Sequence, residues 1–391
     1  MNIRPYTVRV DKTEIEELKK RLQNTRWPDE IEEAQWEYGI PLAFMKDMLH
    51  YWKTEFNWKN VEDRINSYAN YQADIDGIAL HFIYERGSGP NPTPLIIPHG
   101  WPSTFYEMLN LIPYLTHPER FGGDPEDSFD VIIPSLPGHG FSSSPRQAGF
   151  EDRQAAYLLV KLMEGLGYNQ FAAHGYDLGA SVLGLLCLDY PQQVIGYHTT
   201  SPGNPSPYIS ADEKLSQEER NFLSYTKKWY NEEGGYAHLL GTKPQTLAYA
   251  LNDSPAGLAA FILEKWYLWT SPPSGELLEH FNKEDLLANV SIYWFTQTIN
   301  AANRYYFEGQ HTKWPGPTDR SPVPIGVSLT ATQPHERPPR EYVERLFPTI
   351  LSWEELHTGG HFVAQEQPRL VAERIRSFFR GIKDSGNREE G

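Results

Sequence analysis

An α/β fold, with a mostly parallel sheet covered by helices on both faces, is predicted by three features of the chain. Short apolar segments alternate with helical runs from about Ile75 onward. One of those segments, 171–174, passes through a tight glycine turn straight into a helical run at 180–188. The alternation is interrupted once, by a long helical stretch dense in aromatic residues. Strands are expected over residues 79–84, 95–98, 129–133, 171–174, 194–199, 325–330 and 350–353, each short and apolar. A further helical run at 153–166 separates two of them. In open sheets of this kind the active site belongs at the carboxyl ends of the strands.

The 391 residues exceed the usual size of one core, so a large catalytic domain with additions is expected. Residues 1–90 are read as an N-terminal extension wrapping that core. Ile15, Leu18 and Leu22 share a helical face, whereas Trp27, Trp36, Trp52 and Trp58 are spread through charged sequence without a period. That spacing suggests an extended segment pinned by single anchors. Residues 91–205 form the first part of the core and 311–391 the second. Between them, 206–310 is helical in pattern and carries Trp229, Tyr230, Tyr236, Trp266 and Trp269, which is most simply a lid.

With 35 basic against 51 acidic residues the net charge is −16, which disfavours nucleic acid or an anionic membrane as partner. Cys187 is the only cysteine, so no internal disulfide forms, and a lone thiol fits a reducing compartment. The first residues lack an apolar signal core, and no stretch approaches the roughly 20 apolar residues of a membrane span. A cytoplasmic protein without a membrane anchor is the expectation. A homodimer is left open, since there is no coiled coil and surface patches cannot be read from one sequence.

The chemistry centres on Asp177 in the run His174-Gly175-Tyr176-Asp177-Leu178-Gly179. Strand, Gly-x-nucleophile-x-Gly turn and helix make a nucleophile elbow, which projects one side chain above the sheet. Serine in that position suits acyl carbons and needs a base. A carboxylate is anionic at neutral pH and can displace a leaving group from a saturated carbon, forming an alkyl ester on the enzyme. Three further features support the reading. Pro98-His99-Gly100-Trp101-Pro102 follows a strand where a loop amide would point at an oxyanion, making Trp101 and Leu178 the candidate backbone donors. Gly359-Gly360-His361-Phe362 precedes a final helix over 363–379 and offers His361 as base. Glu336, in the loop after strand 325–330, is the candidate acid behind that histidine, with Glu341, Glu344, Glu354 and Glu355 as competitors.

Together these residues resemble an epoxide hydrolase of the microsomal type within the α/β-hydrolase superfamily. Arg26-Trp27-Pro28 resembles the N-terminal extension, His99-Gly100-Trp101-Pro102-Ser103 the oxyanion loop, and Gly359-Gly360-His361-Phe362 the base loop. Gly241-Thr242-Lys243-Pro244 and Asn252-Asp253-Ser254-Pro255-Ala256-Gly257 resemble lid signatures. The resemblance implies two lid tyrosines, Tyr236 and Tyr306, the latter with Tyr305 as its neighbour and rival. Phenols with a pKa of about 10 stay neutral at pH 7 and can donate to an opening epoxide oxygen. At the acid the family commonly has Phe-Pro-x-Glu, whereas here the run is Gln333-Pro334-His335-Glu336.

The resemblance implies hydrolysis of an apolar small-molecule epoxide to a vicinal diol through an ester on Asp177, with no cofactor and no metal. Trp101 would also contact substrate. A haloalkane dehalogenase would share the aspartate and histidine but bind halide through groups such as a tryptophan N–H. An epoxide-opening cyclase and a non-catalytic ligand-binding protein are further alternatives.

Overall fold

The computed structural model describes residues 1–202, 214–270, 276–331 apart from 313, 315 and 317, and 337–389. Among these, nine strands form one sheet: β1 (Asn2–Pro5), β2 (Asn70–Ile75), β3 (Ile78–Glu85), β4 (Thr93–Ile96), β5 (Phe129–Pro134), β6 (Phe171–Gly175), β7 (Val194–Thr199), β8 (Ile325–Leu329) and β9 (Ile350–Glu355). Their spatial order is β1-β2-β3-β5-β4-β6-β7-β8-β9. The pairs from β1 to β5 are antiparallel, and every pair from β5 through β9 is parallel. The expected strands are all present, and β1 and β2 are additional.

Alternation along the central strands divides the core into two faces, as a period of two requires. Leu95, Ile97, Val131, Ile133 and Ala172 pack on one side with Phe378 and Phe379. Ile96, Ile132 and Ala173 pack on the other with Leu158, Leu159, Leu183 and Leu186. Those last residues belong to α4 (Asp152–Gly165) and α5 (Asp177–Asp189), preceded in the chain by α1 (Lys12–Gln23), α2 (Leu42–Thr54) and α3 (Trp58–Asn66).

The N-terminal segment is helical where an extended run was expected. Met45, Met48, Leu49 and Trp52 fall at a helical 3-4-7 spacing and are buried in α2. Of its tryptophans, Trp52 and Trp58 are buried and Trp27 is exposed. Trp52 is 1% exposed and donates through Nε1 to Ser291 Oγ at 3.0 Å. Trp36 stacks on Tyr267 with ring centroids 3.6 Å apart.

Between β7 and β8 the described residues form α6 (Gln217–Glu233), α7 (Gly235–Thr242), α8 (Pro244–Asp253), α9 (Pro255–Trp269), α10 (Lys283–Thr296) and α11 (Ile299–His311). Prolines set the helix starts: Pro244 and Pro255 each occupy a first turn, where a missing N–H costs nothing. Ser254 caps α9 by accepting from Gly257 N at 3.0 Å. A buried ion pair fastens this layer to the core, Arg345 Nε lying 2.6 Å from Glu219 Oε1 of α6.

The last helical run is also divided. A turn over Val363–Glu366 ends at Gln367, and α12 (Pro368–Glu389) begins anew. Pro368 accounts for the break, since its ring disfavours a helical conformation at the preceding residue. Among the described residues no helix is long and apolar enough to cross a membrane.

Trp52 ties the N-terminal helices to α10 through one fully buried indole. Trp52→Ala should lower unfolding free energy by about 3–5 kcal/mol, read as a shift of the urea midpoint. A loss under about 1 kcal/mol would show that the N-terminal helices are peripheral.

Candidate active site

The turn after β6 is shaped by close contact between two loops. Tyr176 is extended, and Asp177 takes a left-handed φ of 51° before α5 begins at that residue, three positions earlier than the sequence suggested. A non-glycine residue there is strained, which is how the elbow exposes the side chain. Gly179 lies against the 98–100 loop so tightly that a Cβ would sit 2.5 Å from Pro98 O. A Cβ on Gly100 would sit 2.8 Å from the Asp177 Cβ. The glycines are therefore required by proximity, whatever their own flexibility.

This contact brings the Trp101 amide to Asp177, donating to Oδ1 at 2.7 Å. Leu178 follows as the second residue of α5, in the first turn where amides have no intrahelical acceptor. The other carboxylate oxygen, Oδ2, lies 3.5 Å from His361 Nε2. His361 is 4% exposed, its amide donates to Trp269 O at 3.0 Å, and its ring meets Tyr176 edge-on at 5.2 Å. Gly359 carries a φ of 84° just before it, so the paired glycines do shape the backbone that aims the ring.

Above the carboxylate, Tyr236 of α7 stacks parallel to Trp101 with centroids 5.5 Å apart. Tyr306 of α11 meets Trp101 edge-on at 5.1 Å and Tyr236 at 5.7 Å. Burial pushes the Tyr306 hydroxyl well above the ordinary phenol range, with Tyr236 and Asp177 nearby adding to the shift. Tyr305 turns away and donates to Pro137 O at 3.1 Å. These groups line a cavity of about 520 Å³ that also touches Trp229, Trp269 and Phe347. Glu336 lies outside the described residues. Its four competitors are engaged elsewhere: Glu341 with Ser216, Glu344 with Arg340, Glu354 with Ser328 and Arg374, and Glu355 with Arg337.

Several residues escaped the sequence reading because only the fold brings them together. His99 is a clamp: Nδ1 pairs with Gly100 O at 2.8 Å and Nε2 accepts from Leu136 N at 3.1 Å, which fixes the neutral tautomer. Burial lowers its pKa to about 4. Asn289 donates to Pro102 O at 2.8 Å, and Tyr293 donates to Ser103 O at 2.9 Å, so α10 holds the same loop from above. Trp101 Nε1 donates to Asn303 Oδ1 at 3.1 Å.

The fold, with its strand–turn–helix at Asp177, defines an α/β-hydrolase. Residues 93–249 match the family described as alpha/beta hydrolase fold, and residues 3–108 match the one described as Epoxide hydrolase N terminus. A Stigmatella aurantiaca chain provisionally named an epoxide hydrolase is 37% identical over 97% of this chain and 86% of its own. Epoxide hydrolase 1 of Oryctolagus cuniculus is 33% identical over 96% of this chain and 88% of its own. The crystal structure of juvenile hormone epoxide hydrolase from Bombyx mori superposes with a TM-score of 0.88 at 27% identity, covering 98% of this chain and 96% of that one. The chain belongs to the epoxide hydrolase family.

Two buried carboxyls stand behind the imidazole. Tyr176 donates to Glu107 and shares a 2.9 Å hydrogen bond with Ser103, while Gly360 N donates to Glu366 Oε1 at 2.8 Å. Burial raises both from 4.5 to about 7. A raised carboxyl binds its proton more tightly in the folded chain, so the stability it contributes is lost as pH rises from the unfolded value through the folded one. In Glu107→Gln that loss disappears. Between pH 4.5 and 7 the mutant should gain on the wild type by up to about 1.4 kcal/mol per pH unit, measured as urea midpoints across the window. A difference independent of pH would mean that Glu107 titrates normally.

Proposed function

We propose that this epoxide hydrolase works through an ester on Asp177. The observation carrying the proposal is the division of labour between the two carboxylate oxygens. One is held by the Trp101 amide at 2.7 Å, while the other lies 3.5 Å from His361 Nε2 and opens onto an aromatic cavity. Oδ2 attacks an oxirane carbon from the back as the C–O bond breaks. Tyr236 and Tyr306 donate to the departing oxygen, one of them delivering its proton. The carbonyl oxygen of the resulting ester is then Oδ1, already facing the Trp101 amide, with the Leu178 amide as second donor. Such a donor is worth roughly 3 kcal/mol in comparable sites.

In the second step His361 takes a proton from water, which attacks the aspartyl carbonyl carbon. The alcohol leaves and is protonated by His361, and the proton of the aspartic acid so formed returns to the tyrosinate, regenerating the carboxylate and both phenols. Glu336 is assigned behind His361 on chain order and family resemblance. The lining of tryptophan, tyrosine and phenylalanine suits a mainly apolar epoxide. Halide capture by the Trp101 indole is disfavoured, since its N–H is already committed to Asn303.

Asp177→Asn should be inactive, and His361→Gln should be alkylated yet fail to turn over, its mass rising by one substrate under intact-protein mass spectrometry. A His361→Gln chain that gains no such mass with an epoxide the wild type consumes would count against the ester. Removing both phenols, Tyr236→Phe with Tyr306→Phe, should lower kcat by at least about a hundredfold. In heavy-oxygen water, a single turnover should leave the diol unlabelled and place the label in Asp177.

A further inference from the structure

The cavity extends well beyond the reacting groups, and its floor is one face of α5. Asp177, Ala180, Ser181 and Gly184 all line it, at the spacing of a single helical stripe. At about 1.5 Å per residue the floor reaches roughly 10 Å beyond the nucleophile. A Cβ built on Gly184 would meet nothing within 4 Å, so the far end is open space.

On that floor, one turn along from Asp177, Ser181 Oγ donates to Oδ2 of Asp152. Asp152 lines the cavity and is 4% exposed. Among the described residues its Oδ1 accepts no hydrogen bond and no cation pairs with it, the adjacent Arg153 being bound to Asp189. The ordinary duty of an acid at a helix start is already filled, because Glu151 caps α4 and accepts from Arg153 N at 2.9 Å. Nearby Tyr305 spends its hydroxyl on Pro137. A buried carboxyl with an open oxygen is costly unless something in the cavity meets it.

Resting on the epoxide reading above, we propose that Asp152 is a specificity-determining contact that receives a hydroxyl on the arm of the substrate remote from the oxirane. Burial, the main cause, raises this carboxyl to about 7, with Glu151 and Asp177 adding to the rise and Ser181 opposing it. It therefore changes between donor and acceptor near neutrality. A hydroxyl serves both forms, since it accepts from the acid and donates to the carboxylate. The substrate class is an aryl or alkyl epoxide carrying a distal hydroxyl.

The test compares para-hydroxymethylphenyl glycidyl ether with para-ethylphenyl glycidyl ether, two epoxides that differ by hydroxyl for methyl. The ratio of their kcat/KM values should favour the hydroxymethyl compound in the wild type and fall about tenfold in Asp152→Leu. Asp152→Ala carries the same comparison if the leucine variant fails to fold, each judged by circular dichroism beforehand. Binding of the two corresponding glycerol ethers, read from tryptophan fluorescence, supplies a measure independent of turnover. A hydroxyl preference that depends on Asp152 in binding, with neither epoxide turned over, would support the contact while overturning the catalytic reading. A ratio unchanged in the Asp152 variants, with both epoxides consumed, would overturn the contact alone. Tighter use of the para-aminomethyl analogue would overturn the hydroxyl assignment in favour of a cation.

Discussion

The approach of two backbones, where the turn entering α5 lies against the loop leaving β4, decides whether a site exists at all. Without side chains at positions 100 and 179 the loops close to within a single atomic layer. Only then does the Trp101 amide fall on one oxygen of Asp177 and leave the other for His361. Both halves of the contact are fixed from behind. His99 uses both ring nitrogens to pin its loop, and burial keeps it neutral so that one nitrogen remains an acceptor. The strained φ of Asp177 is held by the strand and helix on either side of it.

The helices between β7 and β8 hold the loop after β4 in place. Asn289 and Tyr293 reach down to the carbonyls of Pro102 and Ser103, and Asn303 holds the Trp101 indole. Trp101 in turn is the surface on which Tyr236 stacks and against which Tyr306 stands edge-on. Positions of the Trp101 amide beside Asp177 and of both phenols are thus tied to one indole and to three side chains of α10 and α11. Preorganisation of this kind is what electrostatic stabilisation demands, because donors that must first reorient lose much of their worth.

Much of this was legible in the chain because it depends on local chemistry. Glycines flanking Asp177 and the double glycine before His361 stand where a Cβ would collide with its neighbours, so they mark the loops directly. The alternation of apolar strands gave the sheet for the same reason. The second tyrosine needed the fold to choose between adjacent residues, since only a helix rotation separates Tyr305, turned toward Pro137, from Tyr306, turned toward Trp101. The N-terminal helices are harder to read, because aperiodic tryptophans overlie the helical spacing of Met45, Met48, Leu49 and Trp52. Glu107, Glu366 and Asp152 were invisible for a different reason: a carboxyl becomes notable only when burial removes its water, and burial is a tertiary property.

Ser291 and Asn289 lie on the same helix, α10, two residues apart. Trp52 grips the first from the N-terminal side, and the second grips the loop after β4 at Pro102. The opening sixty-odd residues are thereby mechanically in series with the loop beside Asp177, through one indole, one helix and one carbonyl. Engineering that trims or swaps this portion would therefore be felt at the loop beside Asp177, from a distance.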